Sequence, residues 1–211
     1  VDSNDLSLNV SREILQQDSV VESMKTALTK RVLDMLEKMA EDDSTAGEDD
    51  TKKYAAFWQA FGNVLKEGVA EDFTHREKIG KLMRFSTTTS GKEQNQSLDD
   101  YIARMKEGQN QIYYIVADQY ETARNSPHLE VFRANDIEVI LMHDRLDEWM
   151  MNYFREYAGK SFADVARGDL DISHLLKEKP AEDKPEDAAP EGDTALLEKL
   201  QALLADQVET V

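Results

Sequence analysis

The 211-residue chain holds 43 Asp and Glu against 25 Lys and Arg, a formal net charge of -18, and no cysteine. So much acid repels phosphate backbones and anionic headgroups, so nucleic acid and membrane surfaces are not expected partners. Disulfides and thiolate zinc sites are excluded. With no signal peptide and no apolar run long enough to span a bilayer, a soluble, cytoplasmic protein with one substantial core is expected.

The chain opens with LNVSREILQ, Leu8 to Gln16. Asn9 is a good N-cap, which makes Arg12 the third helical residue and puts Gln16 on the same face four positions later. A helix N-terminus carries unpaired N–H groups and about half a positive charge, and a guanidinium beside it suits a phosphate oxygen. A surface ion pair is the competing reading of Arg12 and, from these residues alone, the commoner outcome.

Residues 11 to about 40 read as a long amphipathic helix, with Val20, Met24, Leu28, Val32, Met35, Leu36 and Met39 at helical spacing. Glu41, Asp42, Asp43, Glu48, Asp49 and Asp50 then crowd a Gly-containing interval, read as a solvated loop because its spacing is not that of a calcium-binding loop. Tyr54, Phe57, Trp58, Phe61 and Leu65 form a second stripe, closed by Gly68, in which Trp58 and Phe61 are expected in the core. A shorter helix carries Ile79, Leu82 and Met83. The next starts at Ser97 as N-cap, with Asp100 three residues on, and runs through Leu98, Tyr101, Ile102 and Met105.

The period then changes. IYYIVA, Ile112 to Ala117, is a continuous apolar run expected of a strand covered on both faces. Ser126 and Pro127 open a short helix with Leu129 and Phe132, a second apolar run spans Ile137 to Met142, and a strong helix is expected from about Asp144 to Ala158. Strand, helix, strand, helix argues for a small parallel-type sheet with helices on its faces. KEKPAEDKPEDAAPEGD, Lys177 to Asp193, has no large apolar residue and reads as a flexible linker. Beyond it Leu196, Leu197, Leu200, Leu203, Leu204 and Val208 line one face of an amphipathic helix. The expected fold is therefore α/β and helix-rich: a helical segment, a small α-β-α sandwich unit, a flexible linker and a C-terminal amphipathic helix.

On the helix near Trp149, residues Leu146, Met150, Tyr153, Phe154 and Tyr157 share the stripe assigned to the core. Trp149 falls on its flank, and Met151 points nearly opposite and is expected to be exposed. Rim packing is the plain reading of this pair, and adaptable apolar contact with partners is the functional one. Elsewhere the four histidines lack zinc spacing, so no metal is expected. Ser86 to Ser90 is a Thr-rich loop without a nucleophile elbow. Asp99-Asp100 and Asp147-Glu148 are explained by capping or solvation, and no Gly-rich phosphate loop occurs.

Several long motifs, in order, resemble one family. LNVSREILQ, WQAFGNVLKEGVAEDF (Trp58 to Phe73), LMRFSTT (Leu82 to Thr88), SLDDYIARMKEGQNQIYYI (Ser97 to Ile115), SPHLEVF (Ser126 to Phe132) and EVILMHDRLDEWMMNYFREYAGKSF (Glu138 to Phe162) look like heat-shock protein 90 chaperones of the bacterial HtpG type. Ser7 departs from the proline usual in relatives. The resemblance implies an interior piece of an ATP-dependent, stress-responsive chaperone that assists folding. Residues 1–106 would be the helical part of its middle domain, with a catalytic-loop segment at 8–16. Residues 107–176 would be a small α/β unit, 177–193 a linker, and 194–211 the first helix of an incomplete C-terminal domain. Arg12 would contact the γ-phosphate of ATP held mainly by an absent N-terminal domain, with Asn9 and Gln16 supporting the same loop. The chain alone would then have no appreciable ATPase activity. Trp149, Met150 and Met151 would form part of a surface for unfolded or partly folded clients. The implied partners are the chaperone's own N-terminal ATPase domain, client proteins, and a second copy in the full-length homodimer. A non-enzymatic helical scaffold or adaptor is the alternative, in which Arg12 is only a surface ion-pair residue.

Overall fold

A computed structural model describes residues 19–45, 52–167, 170 and 172–176, all within one unit that ends at residue 176. The segment at 8–16, the linker at 177–193 and the amphipathic segment at 194–211 lie outside the described residues. Helix α1 (Ser19–Thr45) is followed by α2 (Lys53–Glu71) and α3 (Arg76–Leu82). The Asp43 carboxylate joins the first two: it accepts from the backbone N–H groups of Lys53, Tyr54 and Ala55 at 2.9, 2.7 and 3.1 Å. An acid expected to be solvated thus caps the positive end of α2. Gly68 does not close α2. The helix runs one turn further, and the Asp72 N–H donates back to the Gly68 carbonyl.

Helix α1 buries part of the expected stripe, Leu36 and Met39, but turns it to bring in Leu33. Leu33 and Leu36 are in the core with Met39 and Ala40 against them, while Leu28, Val32 and Met35 are 45%, 48% and 55% exposed. Apolar residues occupy two neighbouring faces of α1, so the pattern leaves its rotation open. The charges fix it: Lys78 of α3 pairs with Asp34 and Glu37, and Lys81 with Glu37. Hydrogen bonds from these lysines hold Asp34 and Glu37 below their usual carboxylate values. On α2, Trp58 is buried as expected, but Phe61 is 53% exposed and stacks on Phe57 at 5.5 Å between ring centroids.

Strands β1 (Phe85–Thr87) and β2 (Gly91–Gln96) form a hairpin inside the segment expected to be helical. The supposed Thr-rich loop is its turn, built by hydroxyls. The Thr87 side chain accepts from the N–H groups of Thr89 and Ser90, and Ser86 Oγ donates to the Lys92 carbonyl. Helix α4 (Leu98–Ala103) begins with the expected Ser97–Asp100 capping box. Strand β3 (Gln111–Val116) leads through α5 (Tyr120–Arg124), a 3-10 turn at Pro127–Leu129 and α6 (Glu130–Ala134) to β4 (Ile140–Met142). Helix α7 (Asp147–Tyr153), β5 (Glu156–Tyr157), β6 (Lys160–Asp164) and a 3-10 turn at Ser173–Leu175 complete the described order.

The six strands form one sheet in the order β2-β1-β4-β3-β6-β5. Strand β3 is parallel to both β4 and β6, and the other pairings are antiparallel, so the sheet is mixed rather than all parallel. Alternation along β3 divides two cores. Ile112 and Tyr114 face a cluster with α1, α2, α3, α4 and α7, whereas Tyr113 and Ile115 face one with α5 and α6. Cover on both faces is what the IYYIVA run predicts.

The long helix expected at 144–158 is shorter at both ends. It stops at Tyr153 because Ala158 and Gly159, at φ 48° and 73°, make the two-residue left-handed turn that joins β5 to β6. Phe154 and Tyr157 then pack on α3 at Gly80. A Cβ added there would lie 2.8 Å from Phe154 Cζ and 2.9 Å from Tyr157 Cδ2. Gly80→Ala should destabilise the chain by about 1–2 kcal/mol, the overpacking exceeding a helix-propensity gain of up to about 1 kcal/mol. Denaturant unfolding tests this, and an unchanged or raised midpoint would contradict it.

Candidate functional site

Helix α7 follows β4 directly, and the first residues after the strand, His143 and Asp144, mark the expected strand-to-helix junction. Trp149 is 38% exposed and tilted against Tyr153 at 5.1 Å, and Tyr153, expected in the core, is instead 44% exposed. The two rings form an aromatic face at the surface. Met150 is fully buried, as its stripe required. Met151 is not exposed as expected: only 8% of it is accessible. The buried face of α7 is a single one, made by Asp147, Met150, Met151 and Phe154 at i, i+3, i+4 and i+7, and it is rotated toward Met151 from the stripe expected. Lys66 of α2 meets its first residue, Asp147, while Met151 sits in the core with Tyr114 and lines a cleft beside Tyr114 and Asp164. Two consecutive methionines are therefore inside, and Trp149 remains as the accessible member of the expected trio.

That cleft, about 460 Å³, lies at the carboxyl ends of β4, β3 and β6. From β3 the chain passes to β4 on one side and returns by α7 and β5 to β6 on the other, and such a reversal is where open α/β sheets leave a crevice. Its wall mixes Asp118, Asp144, Glu148 and Asp164 with Arg145, Arg155 and Arg167. With four carboxylates against three guanidiniums, the wall carries no excess of positive charge for a nucleotide polyphosphate. Among the described residues no group of three His, Asp or Glu is arranged to hold a metal ion.

Beneath α7 is a buried polar network that the motifs did not reveal. Lys66 is fully buried, and its Nζ donates to Asp144 Oδ2 at 2.6 Å and Asp147 Oδ1 at 2.5 Å. Asp147, also buried, accepts the Asp144 N–H on its other oxygen at 2.8 Å. The Gln94 amide donates to Asp144 at 2.9 Å and accepts the Trp58 indole N–H at 2.9 Å. The ammonium also lies 5.9 and 5.3 Å from the ring centroids of Trp58 and Phe85. Solvation does not explain Asp147. The signal was present: Trp58, Gly62 and Lys66 recur at i, i+4 and i+8 on the buried face of α2, so Lys66 interrupts an otherwise core-facing row.

Arg12, Asn9 and Gln16 lie outside the described residues. Elsewhere, the buried Tyr101 hydroxyl donates to the Glu138 carbonyl at 2.8 Å and accepts from the Tyr113 N–H at 3.0 Å, so α4 is tied to the sheet. Burial raises the pKa of this phenol.

Burial pushes the Asp144 carboxyl up, but the Lys66 charge and the hydrogen bonds from Lys66 and Gln94 more than offset it, so its pKa is lowered. Its folded value therefore lies below its unfolded one. The stabilisation is complete above the ordinary Asp value of about 3.9 and is lost as pH falls through the lower folded value. Unfolding midpoints should fall more steeply below about pH 4 in the native chain than in Asp144→Asn. Parallel curves would contradict this assignment.

No helix among the described residues is long and apolar enough to cross a membrane. The family model described as Hsp90 protein matches residues 1–211. The match covers every element described, from the α1–α2 hairpin to β6 and the network beneath α7, and the chain belongs to the Hsp90 family of ATPase chaperones.

Proposed function

We propose that this chain is the part of an ATP-dependent chaperone, of the bacterial HtpG type, that links nucleotide chemistry to client binding in the cytoplasm. The observation that carries this reading is the family match along the whole sequence. ATP is assigned to a separate N-terminal domain of the full-length protein, because the sequence has no Gly-rich phosphate loop. Arg12 adds a guanidinium to that site. A cation placed where charge develops on the departing phosphoryl group stabilises the transition state more than the bound substrate. Asn9 and Gln16 hold the same loop. The chain alone turns over no appreciable ATP.

Clients meet the aromatic face of α7. Trp149, with Tyr153 beside it, offers large rings that lose little side-chain freedom on contact, which suits unfolded segments of varied sequence. Met150 and Met151 act from beneath as packing that supports this face. The full-length protein works as a homodimer through the rest of its C-terminal domain. The non-enzymatic scaffold is the reading to be distinguished from this one.

Two substitutions in the intact chaperone separate the readings. Arg12→Ala should slow ATP turnover about a hundredfold or more with ATP binding unchanged. Unchanged turnover would favour the scaffold. Trp149→Ala should weaken binding of a permanently unfolded protein by about tenfold, measured by anisotropy, without lowering the unfolding midpoint by more than a few degrees. An unaltered affinity would remove α7 from the client surface.

A further inference from the structure

Helix α7 is seven residues long, and Leu146 before it makes no side-chain capping hydrogen bond. A helix of under two turns does not hold itself in water, so its place depends on tertiary anchors. At its C-terminal end the anchor is the packing of Phe154. At its N-terminal end it is Lys66, whose ammonium meets one carboxylate just before the helix and one on its first residue. Apolar side chains of similar volume would join α2 to α7 at less desolvation cost. What an ion pair adds is direction: the ammonium is satisfied in one arrangement of Asp144 and Asp147, and Trp149 follows two residues later. Gln94 extends the same chain of hydrogen bonds to Trp58, so α2, β2 and α7 share one set of partners.

We propose that Lys66 is a positioning residue for client binding: by clamping Asp144 and Asp147 it holds the Trp149–Tyr153 face of α7 in a single orientation at the surface. This rests on the reading of Trp149 as a client contact. Lys66 touches no client itself. Its effect is to keep the aromatic face presented, so that binding does not have to order α7 first.

The test uses the full chain with the variants Lys66→Met/Asp147→Asn, Asp144→Asn and Trp149→Ala, and a reduced, carboxymethylated protein that cannot refold as the client. In the double variant no buried charge remains at 66 or 147, and Asp144, left without its cation, is partly exposed and keeps the Gln94 hydrogen bond, so the variant should still melt cooperatively. Amide exchange in residues 147–153 should rise about tenfold relative to the rest of the chain, and client affinity should fall about as far as in Trp149→Ala. Asp144→Asn alters the partly hydrated partner, leaves the fold intact even if the double variant does not fold, and should shift both readouts the same way by about threefold. Unchanged exchange at 147–153 in these variants overturns the proposal. So does faster exchange with full client affinity, if Trp149→Ala weakens binding. Should Trp149→Ala itself leave affinity untouched, the client reading fails, and exchange at 147–153 alone decides whether Lys66 positions α7.

Discussion

A lysine ammonium buried between two aspartates is the constraint on which the site depends. Lys66 comes from α2, and Asp144 and Asp147 from the start of α7, 78 and 81 residues further along the chain. Desolvating these charges is unfavourable, so the arrangement persists only where each one finds its counter-charge and its hydrogen bonds. That requirement fixes how the sheet, the helical hairpin and α7 meet. The alternation of β3 gives the sheet two apolar faces, and hydrophobic burial holds the layers together without specifying a register for a seven-residue helix. The polar network specifies it. It also turns Met150 and Met151 inward and leaves Trp149 and Tyr153 outward, which is the geometry that the client reading needs.

Charge acts in the same way elsewhere in the helical layer. Asp43 fixes the angle at which α2 leaves α1 by accepting three N–H groups, and Lys78 and Lys81 settle the rotation of α1 against α3. An acidic protein thus uses several of its carboxylates as joints. Surface pairs of this kind contribute little stability individually, but they choose between faces that are nearly equal in apolar content. The consequence is a helical hairpin with Leu28, Val32, Met35 and Phe61 left at the surface.

Much of this was legible in the sequence, and the limits have physical causes. The capping box at Ser97, the doubly covered strand at Ile112–Val116, the Ser126-Pro127 start and the existence of all three early helices follow from local spacing. The β1–β2 hairpin was hidden because its strands are short and polar, and its turn is made by Thr and Ser hydroxyls rather than by an Asn-Gly pair. The end of α7 was overrun because periodicity continues through Phe154 and Tyr157 into a two-residue turn whose first member is Ala158. Helical periodicity reports one apolar stripe well but cannot say which of two stripes wins, nor that a buried acid such as Asp147 shifts the covered face round the helix. Hence α1 turns to bury Leu33, and Met151 lies inside. The site was legible only in part. The partial exposure of Trp149 follows from its flank position, whereas the pairing of Lys66 with Asp147 depends on contacts across 81 residues that no local pattern encodes.

The most direct test of the central claim is a double-mutant cycle between Lys66 and Asp147, with unfolding free energies measured for Lys66→Met, Asp147→Asn and the two together. If the buried pair is the joint described, Lys66→Met leaves the buried Asp147 carboxylate without its counter-charge and costs about 3–5 kcal/mol, Asp147→Asn leaves Lys66 its pair with Asp144 and costs less, and the combined change costs clearly less than the sum of the two. Single effects that simply add would show that the two side chains do not depend on each other, and would contradict the account.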